Sequence, residues 1–344
     1  MSSNLFHRFV LAVGCAGALG CSDGRTPVVV YSPHGRDLLA ALEHAYEAEN
    51  PTIDIRWLDM GSQEVYDRVR SERANAQADV WFGGPEAIFG RGDREGLLDV
   101  FTPSWAADVP PESRGASGTY YGCYRTLPVL VYNSAAVVEA EAPADWDDLL
   151  AARWKGKVIV RDPLASGTMR SMFAMVLARS VAETGDTARG FAWLKRLDGQ
   201  TKEYASNPAL LFQKIVRREG LVTVWELSDI LLQQQKGIRV GFKLATSGTP
   251  VINDAIGLVK GAPHAEAARA YINWVGGREA QELAARQAFK LPARTDLPAA
   301  ALPEWAQHVL AALKPAALDW SLIERQQSAW MAEWDREVRG KGGS

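Results

Sequence analysis

The chain has 344 residues and carries 38 lysines and arginines against 41 aspartates and glutamates, a formal net charge of −3. That length accommodates two ordinary domains with a sizeable core. Nearly balanced charge without a block of basic residues excludes the electrostatic footprint of a nucleic-acid-binding protein, so we expect no nucleic-acid partner.

The N-terminus has the pattern of an export signal. Residues 1–9 contain an arginine and no acid, Val10–Gly20 is apolar and small, and Cys21 follows. The apolar run is too short to span a membrane as a helix. The segment Ala18–Cys21 resembles a bacterial lipobox, although such boxes usually carry leucine where Ala18 stands. We predict that Cys21 is lipidated and that the protein is periplasmic and lipid-anchored, with plain secretion as the alternative.

Cysteine usage agrees with export. With residues 1–20 removed and Cys21 lipidated, Cys123 is the only cysteine left in the sequence, so we expect no internal disulfide and no paired-cysteine zinc motif. Cys123 lies among aromatic residues in TYYGCYRTLPVLVYN, which favours a buried thiol on a strand over a nucleophile.

The first third of the mature chain alternates strand and helix signals. Runs of β-branched or alternating residues predict three strands: Pro27–Tyr31, Ile53–Leu58 and Asp79–Phe82. Each is followed by a helix signal: Arg36–Glu49, a helix with Val65, Tyr66 and Val69 inward, and a helix opened by Gly83–Pro85. This order predicts a parallel sheet with right-handed crossovers.

Three loops in this region fall at one edge of the predicted sheet. They are Ser32–Gly35, Met60–Ser62 and Gly83–Pro85, and each is small, polar or glycine-containing. Ligands of open α/β sheets bind beyond the carboxyl ends of the strands, and glycine lets backbone approach a ligand closely. Three such loops in succession predict one rim of a cleft.

A second α/β unit is predicted over residues 131–249. Tyr120–Asn133 precedes it as a long strand or a strand pair, and the unit itself contains these signals: a helix over Pro143–Leu150, strands at Lys157–Val160 and Leu221–Trp225, and helices at Met169–Ala182 and Thr187–Leu197. Its loops at carboxyl ends are Ser166–Thr168 and Glu226–Asp229. Further signals follow in the remaining chain: a strand at Ile256–Val259, helices at Pro263–Val275 and Arg278–Gln287, and a tail helix whose Trp330 and Trp334 indicate packing.

The loop DPLASGT runs directly into an apolar helix. Ser166, Gly167 and Thr168 lie where that helix has free backbone N–H groups. Such an end attracts anions. A hydroxyl residue at a helix start is also an ordinary cap, so a purely structural role for any one of them stays open.

Together these stretches resemble a periplasmic solute-binding protein of an ABC importer, in the group that includes the ferric-ion-binding proteins. The matching pieces lie between Val28 and Val275: VVVYSPHG, QADVWFGGPEA, LPVLVYN, WDDLLAARWKGKVIVRDPLASGT and DAIGLVKGAPHAEAARAYINWV. The resemblance implies an α/β, two-lobed clamp of type II, in which each lobe is a central mixed sheet flanked by helices and crossover hinge strands join the lobes. It also implies a monomer that hands its solute to a permease in the inner membrane.

The resemblance further implies a division of the chain. Residues 1–21 are the signal peptide and lipobox, 27–125 with 254–300 form the first lobe, and 126–253 with 301–344 form the second. The hinges are expected near Cys123–Pro128 and Pro250–Asn253.

Ferric ion is one candidate ligand. Iron-binding members hold Fe(III) with an adjacent tyrosine pair in the second lobe, often with a histidine and a glutamate from the first, because a hard ion suits phenolate and carboxylate oxygen. In this chain Trp225 and Glu226 stand where the pair is expected, Tyr204 stands alone, and Tyr120-Tyr121 precedes the hinge. His34 with one glutamate is too small a set for a tight site, so iron is the alternative and not the main prediction.

A small anionic solute is the main prediction. Other members resemble this chain and bind phosphorylated sugars, phosphonates or related compounds, with loops at the anionic end and acids and a histidine at the polar end. The resulting candidate ligand-binding residues are Ser32, His34, Gly61, Ser62, Gly83, Gly84, Tyr121, Ser166, Gly167, Thr168, Trp225, Glu226 and Asp254.

The resemblance assigns parts to several of these residues. His34, Glu226 and Asp254 would face the polar end of the ligand, Trp225 or Tyr121 would stack on it, and Arg161 or Arg125 would add charge. Each of these residues also has a structural alternative. His34 could be a loop histidine whose hydrogen bonds are made within the chain, and Glu226 could pair with a neighbouring arginine. Trp225 could belong to the core, and Asp254 could fix the hinge.

Two other function classes use the same kind of fold. An enzyme is disfavoured, because the sequence has no H-E-x-x-H, no G-x-S-x-G and no phosphate-loop lysine motif, so no catalytic residue, metal or cofactor is predicted. A periplasmic sensor would use the same cleft, and the neighbouring genes would tell it from an importer.

Overall fold

The structure is a computed structural model that describes residues 24–342. The predicted export signal and the lipidated Cys21 lie outside the described residues. None of the described helices is long and apolar enough to cross a membrane.

Twelve strands form within residues 24–342: β1 (Thr26–Ser32), β2 (Ile53–Asp59), β3 (Val80–Pro85), β4 (Leu98–Asp99), β5 (Tyr120–Thr126), β6 (Pro128–Asn133), β7 (Val158–Arg161), β8 (Thr201–Ala205), β9 (Val222–Glu226), β10 (Val240–Lys243), β11 (Ile252–Val259) and β12 (Leu291–Pro292). The α-helices of the same part of the chain are α1 (Arg36–Glu49), α2 (Ser62–Ser71), α3 (Glu86–Arg94), α4 (Gly167–Thr184), α5 (Ala188–Gln200), α6 (Pro208–Val216), α7 (Leu227–Gln235), α8 (Ala265–Val275), α9 (Arg278–Ala288), α10 (Glu304–Ala312) and α11 (Trp320–Glu337).

These strands form two mixed sheets, which confirms the predicted sheet type. The first has the order β12-β5-β11-β3-β1-β2, with β4 paired to β11, and the second has the order β10-β6-β9-β7-β8. In the first sheet β1 is parallel to β2 and β3, as the alternating pattern predicts, whereas β11 inserts antiparallel between β3 and β5. In the second sheet β7 is parallel to β8 and β9, and β6 is antiparallel to β9 and β10.

The two sheets define two lobes that the chain connects more than once. The first lobe draws its strands from residues 26–126 and 252–292, and the second from residues 128–243. Leu127 alone separates β5 of the first lobe from β6 of the second, and the chain returns to the first lobe between β10 and β11. The carboxyl ends of the parallel strands of both sheets therefore lie beside these crossings.

The C-terminal helix α11 packs into the second lobe. Trp334 is fully buried, and its ring meets the rings of Phe173 and Tyr204 edge-on at 5.3 and 5.2 Å between centroids. Trp330 is buried as well, so the predicted packing role of this tryptophan pair is confirmed. Cys123 is buried on β5, as its aromatic surroundings predict.

Several predicted element boundaries are wrong, and each error has a local cause. Gly83–Pro85 ends β3 instead of forming the first turn of a helix, because this segment stays paired with β11 as far as Pro85 and α3 begins at the next residue. Glu226–Asp229 is not a loop, because β9 ends at Glu226 and α7 begins at the next residue. Asp254 lies inside β11 rather than before it. The helix predicted over Pro143–Leu150 is a 3₁₀ turn at Trp146–Leu150, capped by Asp145.

Candidate functional site

A cleft of about 830 Å³ lies between the two lobes. Its first-lobe wall comes from the segments that follow β1, β2 and β3, and its second-lobe wall from the segments that follow β7, β8 and β9. Nine of the thirteen candidate residues line it: His34, Gly61, Ser62, Gly84, Ser166, Thr168, Trp225, Glu226 and Asp254. Ser32, Gly83, Tyr121 and Gly167 do not.

Ser32 and Gly83 lie behind the cleft and position His34. The Oγ of Ser32 accepts a hydrogen bond from the backbone N–H of His34 at 3.2 Å. Gly83 has φ +100°, and a Cβ built there would lie 2.5 Å from Nε2 of His34. A glycine at position 83 is therefore required by the imidazole that occupies the adjacent space.

Tyr121 belongs to the first-lobe core and does not reach the cleft. It is buried on β5, its ring meets that of Trp105 edge-on at 6.0 Å, and its hydroxyl donates to Thr102 at 3.5 Å. Arg125 also turns away, because its Nε donates to the carbonyl of Pro292 at 2.9 Å. Trp225 remains as the aromatic candidate of the cleft, with its Nε1 donating to Asp229 at 2.6 Å.

Gly61 and Gly167 show that the lobes touch in this structure. A Cβ at Gly61 would lie 2.9 Å from the carbonyl oxygen of Ala165 in the other lobe. A Cβ at Gly167 would lie 2.5 Å from Cδ of Pro85 and 3.0 Å from Oγ of Ser62. The structure is therefore a closed arrangement in which the absence of two side chains allows the lobes to meet.

His34 lines the cleft and has a buried ring nitrogen without a partner in residues 24–342. Its side chain is packed against the rings of Phe82 and Tyr124, with centroid distances of 4.7 and 5.5 Å, and the residue is 8% exposed. Nε2 has no hydrogen-bond partner within the described part of the chain. Burial and then the charge of Lys290 lower the pKa of His34 well below its ordinary value, so the ring is neutral at pH 7. A buried polar atom without a partner costs free energy that a ligand can recover.

Three helices begin at the cleft. Ser62 is the first residue of α2, and Ser166 caps α4 by accepting a hydrogen bond from the N–H of Met169 at 3.3 Å. Asn207, which also lines the cleft, caps α6 by accepting from the N–H of Leu210 at 2.8 Å. The remaining free N–H groups of the first turns and the helix dipoles favour negative charge there. The α6 contribution was not predicted, although Ser-Asn-Pro is a readable helix start.

Arg161 places a buried guanidinium beside these helix ends. It ends β7, is 4% exposed, and donates from one terminal nitrogen to the carbonyl of Ala205 at 3.2 Å. Its Nε has no partner among residues 24–342. Burial lowers the pKa of Arg161, and the nearby Asp162 only partly opposes this shift. A guanidinium nevertheless stays charged at neutral pH. Arg161 is thus a cation with unused hydrogen-bonding capacity on the cleft wall.

A group of acidic cleft residues lies around a buried lysine. Lys290 is 3% exposed, and its Nζ donates to Glu226 at 3.2 Å and to Ser228 at 3.1 Å. Asp254 accepts a hydrogen bond from the hydroxyl of Thr126. Burial lowers the pKa of Lys290, but the neighbouring carboxylates outweigh it and the pKa is raised.

The carboxyl groups of Asp254 and Asp229 have pKa values raised to about 7. Burial raises the pKa of Asp254 to about 7, with Lys290 opposing and Glu226 adding to the shift. Burial and the charge of Glu226 raise the pKa of Asp229 to about 7, against Lys290 and the hydrogen bond from Trp225. Asp229 ends the predicted segment Glu226–Asp229 but was not among the candidate residues. Lys290 was not predicted, because no local pattern marks a residue whose partner Glu226 comes from another lobe.

The chain matches a family model, and it has relatives among known proteins. The family is described as bacterial extracellular solute-binding protein, and the match covers residues 41–312. A probable ABC transporter periplasmic-binding protein from Sinorhizobium fredii is 26% identical over 315 residues, covering 91% of this chain and 86% of that protein. A Salmonella typhimurium protein provisionally named 2-aminoethylphosphonate-binding periplasmic protein is 28% identical over 252 residues, 71% of each chain.

Solved structures with this fold support the assignment. The periplasmic binding protein AfuA from Actinobacillus pleuropneumoniae, with exogenous fructose-6-phosphate bound, superposes with a TM-score of 0.81 at 20% identity, covering 93% of this chain and 100% of that one. Iron-bound HitA from Pseudomonas aeruginosa gives 0.75 at 20% identity, covering 91% and 99%. These likenesses confirm the two-lobed type II fold. The family match shows that the chain belongs to the bacterial extracellular solute-binding proteins.

Proposed function

We propose that the cleft captures a small organic phosphate or phosphonate for delivery to an ABC permease in the membrane. The observation that carries this proposal is the buried Arg161, whose Nε is unpartnered in the described chain, beside the first turns of α2, α4 and α6. A phosphate or phosphonate group offers the several oxygens that a guanidinium and helix N–H groups bind together.

The rest of the ligand is polar. The cleft is also lined by Asp59, Glu64, Asp67 and the acids near Lys290, so a bare anion would meet more negative than positive side chains. A solute whose other end carries hydroxyls or an amine matches this arrangement. In this orientation the hydroxyls or amine donate to Glu226 and Asp254 beside the imidazole of His34, and Trp225 supplies an aromatic contact.

Capture proceeds by closure. Ligand binds first to one lobe of the open form, and the second lobe then adds its contacts, which shifts the population toward the closed form. Gly61 against Ala165 and Gly167 against Pro85 are the contacts that closure makes. The closed surface is then the one that docks on the permease.

The remaining parts of the proposal concern the protein as a whole. Family members bind small solutes and work with a permease, and their relatives are periplasmic. We propose that this chain does so as a monomer without catalysing a reaction and that lipid on Cys21 anchors it. We also propose that 27–125 with 254–300 and 126–253 with 301–344 move as the two lobes.

Iron fits the cleft less well. Relatives with this fold include iron-bound proteins. In this chain Tyr204 lies against Trp334 and donates to Asp198 at 2.7 Å, and burial raises its pKa. The hydroxyl of Tyr204 is therefore occupied outside the cleft, and Trp225 with Glu226 cannot supply phenolate.

The test is a thermal-shift and calorimetry screen of the purified protein. The ligands are sugar phosphates, alkyl and aminoalkyl phosphonates, inorganic phosphate and Fe(III)-citrate. A ligand at ~100 times its Kd stabilises the fold by about 2.7 kcal/mol, which raises the melting temperature measurably. We expect stabilisation by an organic phosphate or phosphonate, with affinity at least about tenfold lower in Arg161→Gln and unchanged in the surface variant Arg336→Gln. Stabilisation by iron alone, undiminished in Arg161→Gln, would overturn the proposal.

A further inference from the structure

A second cavity between the lobes is basic. It has a volume of about 280 Å³ and borders the cleft described above, with Gln63 in the walls of both. The first lobe contributes residues of α2, β3 and α3, and the second lobe contributes residues of α4 and α11. A cavity with walls from both lobes exists in this form only while the lobes are closed.

The wall of this cavity carries more positive than negative charge. Its described charged residues are Arg91, Arg94, Arg170, Glu324 and Arg325. Arg94 forms an ion pair with Glu324 across the lobes, and Arg91 donates to Glu95 at 3.3 Å. These two pairs leave the other guanidinium groups without a carboxylate partner in the described chain.

Arg170 is held by two backbone carbonyls. Its Nε donates to the carbonyl of Pro163 at 3.4 Å, and one terminal nitrogen donates to the carbonyl of Leu164 at 3.0 Å. Both acceptors are neutral. Burial and then the charge of Arg91 lower the pKa of Arg170, with Asp67 and Asp162 opposing. Neither Arg170 nor Arg325 forms an ion pair within residues 24–342, so the cavity keeps cationic groups that no carboxylate contacts.

We propose that this cavity binds a small multivalent oxyanion of the phosphate class and that it does so in the closed form. Guanidinium groups bind phosphate oxygens in pairs. Arg170 and Arg325 supply two groups without a carboxylate partner among residues 24–342, and Arg91, whose Nε donates to Glu95, adds its terminal N–H groups from a third helix. The volume suits a compact ion rather than an organic ligand of the size that fills larger protein pockets.

The two cavities are neighbours divided by an interlobe contact. Gly167 lines the basic cavity, whereas Ser166 and Thr168 line the cleft, and Gly167 packs on Pro85 and Ser62 at the boundary. Because the oxyanion contacts both lobes, it favours closure. Linkage then requires that it raise the affinity of the cleft for its own ligand, and that the cleft ligand raise the affinity for the oxyanion by the same factor.

The experiment titrates the purified protein with pyrophosphate and inorganic phosphate by calorimetry. The variant that tests the cavity is Arg91→Gln with Arg325→Gln, and Arg336→Gln on the same helix as Arg325 is the matched control. Arg161→Gln removes the cation of the cleft without touching the cavity. We expect pyrophosphate to bind the wild type, Arg336→Gln and Arg161→Gln with similar Kd, and the double variant at least about tenfold more weakly.

Other results would overturn the inference and leave the proposed function standing. Equal affinity in the double variant, or no binding at millimolar pyrophosphate, would show that the basic cavity is not a site. Loss of binding in Arg161→Gln alone would place the probe in the cleft. A cleft that binds no organic phosphate or phosphonate would refute the proposed function, and the pyrophosphate measurement would still decide the second site.

Discussion

The ammonium group of Lys290 reaches across the lobes and donates a hydrogen bond to Glu226 at 3.2 Å. Lys290 follows α9 in the first lobe, whereas Glu226 ends β9 in the second. The pair is buried beside the cleft, where Asp229 and Asp254 also interact with the lysine charge. Lys290 therefore contributes both to the contact between the lobes and to the electrostatics of the cleft.

Replacement of Lys290 is expected to be costly. Lys290→Met leaves buried carboxylates without their cation, and loss of one partner of a buried ion pair costs about 3–5 kcal/mol of unfolding free energy. The control is Lys236→Met, which removes another interlobe pair, with Asp37 at 2.8 Å, whose side chains are half-exposed. Exposed pairs contribute little, so its unfolding free energy should stay close to wild type. Urea denaturation at pH 7 measures both, and similar losses in the two variants would contradict the argument.

The raised pKa of Asp254 predicts a pH-dependent stability. A carboxyl whose folded pKa is about 7 binds a proton more tightly in the folded than in the unfolded chain, where its pKa is about 4. Its stabilising contribution is therefore present below about pH 4 and is lost as pH rises toward about 7. Asp254→Asn keeps the uncharged form at every pH. We expect the variant to gain about 2 kcal/mol relative to wild type between about pH 5 and about pH 8.

The measurement for Asp254 is the difference in unfolding free energy between variant and wild type. This difference cancels the titration of groups that both proteins share. A constant difference over that pH range would show that Asp254 does not titrate in it.

Gly83 is predicted to control the position of His34. Gly83→Ala combines a strained positive φ with a collision against the imidazole. Gly96→Ala is the matched control, since Gly96 has φ +70° and open space around its Cβ position. Backbone strain alone costs about 1–2 kcal/mol in both. We expect a further loss in Gly83→Ala, together with at least a tenfold fall in affinity for the cleft ligand by calorimetry. Wild-type affinity in Gly83→Ala would exclude His34 from the ligand contacts.

Local signals account for the parts of the fold that were predicted well. Helix α1 has the predicted bounds, because a stripe of buried leucines defines it and Asn50-Pro51 ends it. Tyr121 shows the limit of such signals. Alternation on β5 indicates that Tyr121 and Cys123 share a face, but only the packing of Trp105 and β11 shows that this face is the core. Lys290 was not predicted for a related reason, since Glu226 meets it only when both lobes are assembled.

The last prediction separates closure from stability. Gly167→Ala adds a Cβ that meets Pro85 and Ser62 only when the lobes are closed, because both contacts cross between lobes. In the open form alanine is the better residue at the first position of a helix, so the unliganded fold loses nothing. We expect ligand affinity to fall by about tenfold to a hundredfold, which corresponds to about 1.4–2.8 kcal/mol of strain in the closed form, with an unchanged unliganded melting temperature. Calorimetry gives the affinity, and small-angle scattering with saturating ligand reports whether the lobes still close. A lowered melting temperature without loss of affinity would mean that Gly167 serves the fold of the second lobe and not the closing of the cleft.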